Sequence, residues 1–328
     1  MNLLDMAFWK YYQYSKQNDF SSDAFMNLKS STVLMVPPEG FCFNYETACS
    51  NSFQSLIPIK DISSKALEEF TNMVIQLKKE DIQVLTLSQS KDLPDAVFPN
   101  NWFSTHTDSK GNNILIIYPL LTKNRQAEVN IKGLIEVLKK AQFEVNEIVD
   151  LRNDNNEILE GTGSLVLDRE NRLLYASLSP RTSTNLVNKV ANLLGYTSIL
   201  FTSLDKQNKP IYHTNVIMSL GMHYAIICLD SINDYQQRSI LLESFKKTGK
   251  TIIDISWDQV QHMCGNVLEL YNKRGDSLLI LSEQAKRHFT HEQLRLIQQY
   301  SKLLSIDIPT IEAIGGGSTR CMMAEIFY

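Results

Sequence analysis

One unit recurs along this chain: an apolar hairpin, an amphipathic helix, then a single short apolar strand. From Gly163, GSLVLDRENRLLYASL reads as two strands about a polar turn, followed by a helix over Ser183–Leu194 and the strand TSILFT. From Thr214, TNVIMSLGMHYAIICL repeats the hairpin, with the helix DYQQRSILLESFKKTG and the strand TIIDI behind it. From Asn266, NVLELYNKRGDSLLIL repeats it again, with a helix over His291–Leu304 and the strand IDIPTI. An earlier copy starts near Trp102, with the strand NILIIYPL, the helix QAEVNIKGLIEVLKKA and the strand FEVNEIVDL. The opening STVLMVPP, a helix near Lys65–Lys79 and IQVLTL make a fifth unit that lacks one strand. The C-terminal CMMAEIF can supply that strand and close a ring, so the expected fold is α/β with pseudo-five-fold ββαβ repeats.

Just before the first strand of successive hairpins stand Asn101, Glu160, His213, the pair Cys264-Gly265, and Cys321, at intervals of 59, 53, 51 and 57 residues. Units repeated about an axis bring all five positions to one end of it. Residues 31–328 are therefore read as a single catalytic domain, with residues 1–30 an N-terminal extension expected to be helical.

Composition narrows the partners. Thirty-two Lys+Arg against 36 Asp+Glu leave a net charge of −4, which gives nucleic acid or an anionic membrane no reason to bind. Five dispersed cysteines without CxxC spacing argue against a disulfide framework and a thiolate zinc site, and suit a reducing cytoplasm. The remaining histidines, His106, His223, His262, His288 and His291, have no evident ligand spacing, so no metal or organic cofactor is expected. Asp254 and Asp258 read as strand-end and turn residues. The expected partner is a small-molecule amino acid, with further copies of the same chain left open.

Four stretches carry chemistry: FPNNWF (98–103), LEGTGSLVL (159–167), YHTNV (212–216) and GGGSTRCM (315–322). Cys321 follows three glycines, which permit left-handed backbone and close ligand approach, and it precedes an apolar strand. A thiol placed so is a nucleophile if its thiolate can form; a lone cysteine is otherwise commonly a small buried hydrophobe. His213 has the intrinsic pKa for proton transfer at neutral pH. In order and spacing these stretches resemble the signature segments of arginine deiminases, dimethylarginine hydrolases and amidinotransferases, the guanidine-modifying (pentein) superfamily. VPPEGFCFN and YPLLTKNRQAE add a likeness to its arginine-deiminase-related citrulline-utilisation hydrolase branch. The resemblance covers nearly all of the chain after residue 30.

The resemblance implies a five-bladed αβ-propeller with Cys321 as nucleophile and His213 as general acid and base. Glu160 would orient His213 and accept from substrate N–H groups. Arg125 and Arg181 would hold an α-carboxylate, and Asp95 an α-amino group. Cys264 shares the repeat position of the nucleophile but lacks its glycine run, and is read as packing.

The departures from the family pattern bear on the substrate. Arginine-acting relatives carry aspartates where this chain has Asn101 and Asn215, although the dihydrolase members, which take arginine-type substrates past citrulline to ornithine, look Asn-bearing at such a position. Two carboxylates clamp a buried guanidinium, whereas an amide both donates and accepts and so suits a neutral ureido group. Asn is also a favoured turn residue. The expected reaction is citrulline to ornithine, ammonia and carbon dioxide. Arginine deiminase or dihydrolase, amidinotransferase and a non-catalytic binder are the alternatives.

Overall fold

The computed structural model describes residues 30–108, 111–153 and 157–327. Apart from Ser30, the N-terminal extension lies outside the described residues. Five three-stranded sheets follow one another, each an antiparallel pair joined to a parallel one. The first holds β1 (Thr32–Met35), α1 (Ile62–Lys79) and β2 (Gln83–Thr86). The second holds β3 (Phe103–Thr107), β4 (Asn113–Ile117), α2 (Ile131–Lys140) and β5 (Glu147–Asp150). In the third are β6 (Val166–Asp168), β7 (Leu173–Ser177), α3 (Thr184–Leu194) and β8 (Thr197–Phe201). In the fourth are β9 (Met218–Leu220), β10 (Tyr224–Ile227), α4 (Tyr235–Lys247) and β11 (Thr251–Asp254). The fifth has β12 (Leu268–Tyr271), β13 (Ser277–Ser282), α5 (His291–Ile297) and β14 (Lys302–Ile306). The last strand, β15 (Ala324–Ile326), returns to pair antiparallel with β1, Leu34 opposite Ala324, and completes the first sheet.

The strand sequences explain their places. The middle strands β1, β4, β7, β10 and β13 are near-continuous apolar runs, TVLM, NILII, LLYAS, YAII and SLLILS, buried along almost their whole length. Both faces of such strands are covered. The third strands, such as EIVD of β5 and QVLT of β2, are polar-interrupted and partly exposed, as sheet edges are. Helix starts are fixed by side-chain caps: Ser183 accepts from Leu186 N, Asp234 from Gln236 and Gln237 N, and Thr290 forms a capping box with Gln293. On α1, Ala66, Phe70, Met73 and Leu77 form one buried stripe that packs with Ile306, Ile308 and Ile311.

Neighbouring sheets touch in cyclic order. Phe327 N donates to Thr105 Oγ1 between the first and second, Met222 N to Glu269 Oε2 between the fourth and fifth, and Tyr271 N to Ser30 O between the fifth and first.

Three expected elements are displaced. The helix expected over His291–Leu304 ends at Ile297, and the strand expected at IDIPTI lies earlier, at Lys302–Ile306. Pro309 has no N–H to give a ladder and instead opens the helix Pro309–Gly315. The long helix expected from Gln126 begins only at Ile131, where Asn130 caps Gly133 N.

Candidate active site

A short helical turn precedes the inner strand of most sheets, and these turns are tied to one another. Thr162 Oγ1 donates to Asn100 O at 3.2 Å, joining the turn Gly161–Ser164 to the turn Pro99–Asn101. Thr214 Oγ1 donates to Ser164 O at 2.6 Å, joining the turn Thr214–Ile217 to the one before it. Asn266 Nδ2 donates to Asn215 O at 3.0 Å, and Ser318 N donates to Asn266 Oδ1 at 3.1 Å. Buried polar side chains thus find their partners on the next unit, and this chain of bonds fixes the chemistry-bearing residues.

Glycine is required at two of these places. Gly161 has φ +44°, and a Cβ there would lie 2.5 Å from Asn100 O. At Gly163 a Cβ would meet Asn101 Nδ2 at 2.8 Å and the His213 ring at 2.8–2.9 Å, so its bare backbone makes room for the imidazole.

His213 Nε2 lies 2.7 Å from Glu160 Oε2 and 3.2 Å from Asn101 Nδ2. One ring nitrogen cannot donate to the first and accept from the second at once; the shorter contact to a carboxylate places a proton on Nε2. Burial pushes the His213 pKa down to about 4 against the pull of Glu160, so the imidazole is neutral at neutral pH. Burial would raise Glu160, but Arg181, His213 and Arg125 outweigh it and hold the carboxyl below the usual range. Its oxygens are occupied: Oε1 accepts from Leu121 N at 3.0 Å, and Oε2 takes Arg181 Nη1 at 3.2 Å as well as His213.

The Cys321 thiol faces two amides. Asn266 Nδ2 lies 3.2 Å from Sγ and Asn215 Nδ2 3.7 Å. Burial raises its pKa, while donation from Asn266, the charge of Arg320 and donors from Ser318 and Asn215 act the other way. Among the described residues no imidazole or carboxylate contacts the sulfur.

Cys321, His213, Asn101, Asp95, Arg125 and Arg181 line one narrow cleft, with Thr47, Asn51 and the glycines 315–317. Asp95 Oδ2 accepts from Asn44 at 2.7 Å and Thr47 at 3.0 Å, but its Oδ1 is buried without a partner, as is Asn215 Oδ1. Arg125 forms a buried pair with Glu128 through Nε and Nη2 and donates to Phe98 O, leaving Nη1 uncommitted. Arg181 is held by Glu160, Ser50 and Thr47 O, and sits 5.0 Å above the Tyr212 ring.

Two placements differ from expectation. The fourth repeat position belongs to Asn266, not to the pair Cys264-Gly265: Cys264 turns away to Ala285 O, and burial pushes its thiol up. Met263 takes φ +63°, which reverses the chain just before the site. Gly265 instead packs against Val216 O. Secondly, Glu160 does not line the cleft, so of its two expected roles the geometry accommodates the one toward His213. A larger cleft lies beside the buried pair Asp168–Lys250, and its lining has no cysteine or histidine.

Residues 37–328 match the family model described as N,N dimethylarginine dimethylhydrolase, eukaryotic. An uncharacterised protein of Caenorhabditis elegans is 25% identical over 192 residues, covering 56% of this chain and 62% of that protein. The N-terminal domain of ArgZ, a cyanobacterial arginine dihydrolase bound to substrate, superposes with a TM-score of 0.70 at 17% identity, over 90% of this chain and 98% of that one. A dimethylarginine dimethylaminohydrolase in adduct with 4-chloro-2-hydroxymethylpyridine superposes with a TM-score of 0.62 at 14% identity, over 90% and 100%.

Proposed function

We propose, from the premise that this chain belongs to the eukaryotic N,N-dimethylarginine dimethylhydrolase family of the guanidine-modifying (pentein) superfamily, that it is a cysteine hydrolase of non-peptide C–N bonds in ureido or guanidino amino acids, with citrulline its favoured substrate. In this reading the five sheets are the blades of an αβ-propeller and the cleft is the mouth of its axis. The observation that carries the choice of substrate is the amide character of the groups at the two reacting side chains. Asn101 stands at His213, and Asn215 and Asn266 stand at the Cys321 sulfur. Glu160, the neighbouring anion, is already committed to Arg181 and His213. A neutral ureido group needs donors for its oxygen and acceptors for its N–H groups, which amides supply.

Cys321 Sγ attacks the ureido carbon and its proton passes to neutral His213. The imidazolium, held by Glu160, protonates the departing nitrogen, so that ammonia or the ornithine amine leaves. Water then gives a proton to His213 and attacks the carbamoyl thioester, restoring the thiol and releasing the rest as ornithine, ammonia and carbon dioxide. Asp95 Oδ1, without a partner among the described residues, and Arg125 Nη1, to which no hydrogen bond is seen among them, take the α-ammonium and α-carboxylate. Arg181, with its Nη atoms committed, acts through Glu160.

Arginine is the second reading, favoured by the same buried Asp95 Oδ1, an anion that a guanidinium would also satisfy. Purified protein incubated separately with citrulline, arginine and dimethylarginine, and analysed for amino-acid products, separates the two. Ornithine from citrulline is expected, reduced by about four orders of magnitude or more in Cys321→Ala. Citrulline accumulating from arginine or dimethylarginine, with citrulline itself untouched, would discard the ureido assignment and keep the nucleophile.

A further inference from the structure

The helices Trp257–Gln261 and Glu283–His288 lie against each other away from the cleft, joined by Gln259 Nε2 donating to His288 O at 2.9 Å. His262 follows the first helix and His288 ends the second. Their rings stack with centroids 3.5 Å apart and planes 4° apart. Asp258 stands one turn before His262, and one potential ligand atom from each of the three lies within 4.8 Å of the others.

The proton positions follow from the neighbours. His262 Nδ1 donates to Asp258 O at 2.7 Å, and His288 Nδ1 donates to Gln284 O at 2.8 Å. A carbonyl only accepts, so each neutral ring carries its proton on Nδ1 and presents Nε2 as a lone pair. An imidazole steered by a carbonyl on its far nitrogen is the usual arrangement of a metal-binding histidine. The Asp258 side chain is 75% exposed, with Oδ2 3.7 Å from His262 Nδ1. Sequence spacing had given these residues no such role, because His288 joins Asp258 and His262 only in the fold.

We propose that Asp258, His262 and His288 bind a borderline divalent transition ion, Zn²⁺ foremost, which clamps the two helices together. Two imidazoles and a carboxylate suit zinc, and also Co²⁺, Ni²⁺ or Cu²⁺, with water in the remaining positions. Lone pairs of parallel rings do not meet at one point, so one ring turns out of the stack as the ion enters. The clamp would sit four residues before Asn266, whose amide rests on the Cys321 sulfur, and would stiffen the segment that holds it.

Calorimetric titration of the full-length chain with ZnCl₂ tests this, in a background carrying Cys42→Ser, Cys49→Ser and Cys321→Ser that removes the exposed thiols and the one in the cleft. One ion binding in the micromolar range is expected, together with a cobalt absorption band of matching stoichiometry. His262→Ala and His288→Gln should each weaken binding by about tenfold or more, while thermal unfolding without metal stays unchanged. A failure of His262→Ala to fold leaves His288→Gln to decide. Binding that survives both substitutions, or no binding up to millimolar zinc, would overturn the proposal.

Discussion

The Cys321 sulfur is approached by amide hydrogens, not by a base. Donation to sulfur favours the thiolate, and the strongest donor is Asn266 at 3.2 Å, itself pinned by Ser318 N and by Asn215 O. Replacing Asn266 with Ala should therefore raise the thiol pKa. Turnover at neutral pH should fall about tenfold with it. The rate of iodoacetamide alkylation against pH measures the first effect directly. An unchanged alkylation profile would show that the donor does not govern the thiol. Cys321, His213, Asn101, Asp95, Arg125 and Arg181 were all marked by residue type, motif and family resemblance, and the fold brings them to one cleft. Asn266 was not marked. Spacing pointed to Cys264, whereas the turn that contains the left-handed Met263 brings Asn266 to the sulfur, held there by Asn215 O and Ser318 N.

At the level of elements, the helical turns ahead of the inner strands set positions while the strands supply rigidity. Gly163 illustrates the division. Its φ lies outside the left-handed region, so Ala is compatible with the backbone, yet the added methyl would press on Asn101 and His213. Gly163→Ala is expected to lower kcat by about a hundredfold through displacement of the imidazole. The thermal midpoint should fall little, and kinetics run beside calorimetry would distinguish this from simple unfolding. The repeat of hairpin, helix and strand was legible because the middle strands are continuous apolar runs and the helices begin at side-chain caps. The fifth unit was misread after Ile297. There KLLSI has the length of a strand but follows a helical pattern without a glycine or proline break, and its pairing with β13 settles the matter.

For the whole molecule, buried histidines tie stability to pH. His213 is pushed down to about 4 by burial. His106 is held well below its ordinary value by burial and by Arg169, which donates to Nδ1 at 3.1 Å. Both bases bind fewer protons folded than unfolded, so their contribution is complete above about pH 6.5 and is lost as pH falls toward 4. Between pH 7 and pH 5 the urea midpoint should drop, by on the order of 1–3 kcal/mol in unfolding free energy. His213→Gln should show a shallower dependence, and an equal slope in the two proteins would assign the effect elsewhere. The pairing of β15 with β1 has a consequence in time as well as in space. A ribosome delivers Cys321 only after four sheets have emerged, and the first sheet waits, two-stranded, for its last member. A nascent or prematurely terminated chain therefore lacks both Cys321 and the third strand of its first sheet, and the cleft is the last part of the molecule to be assembled.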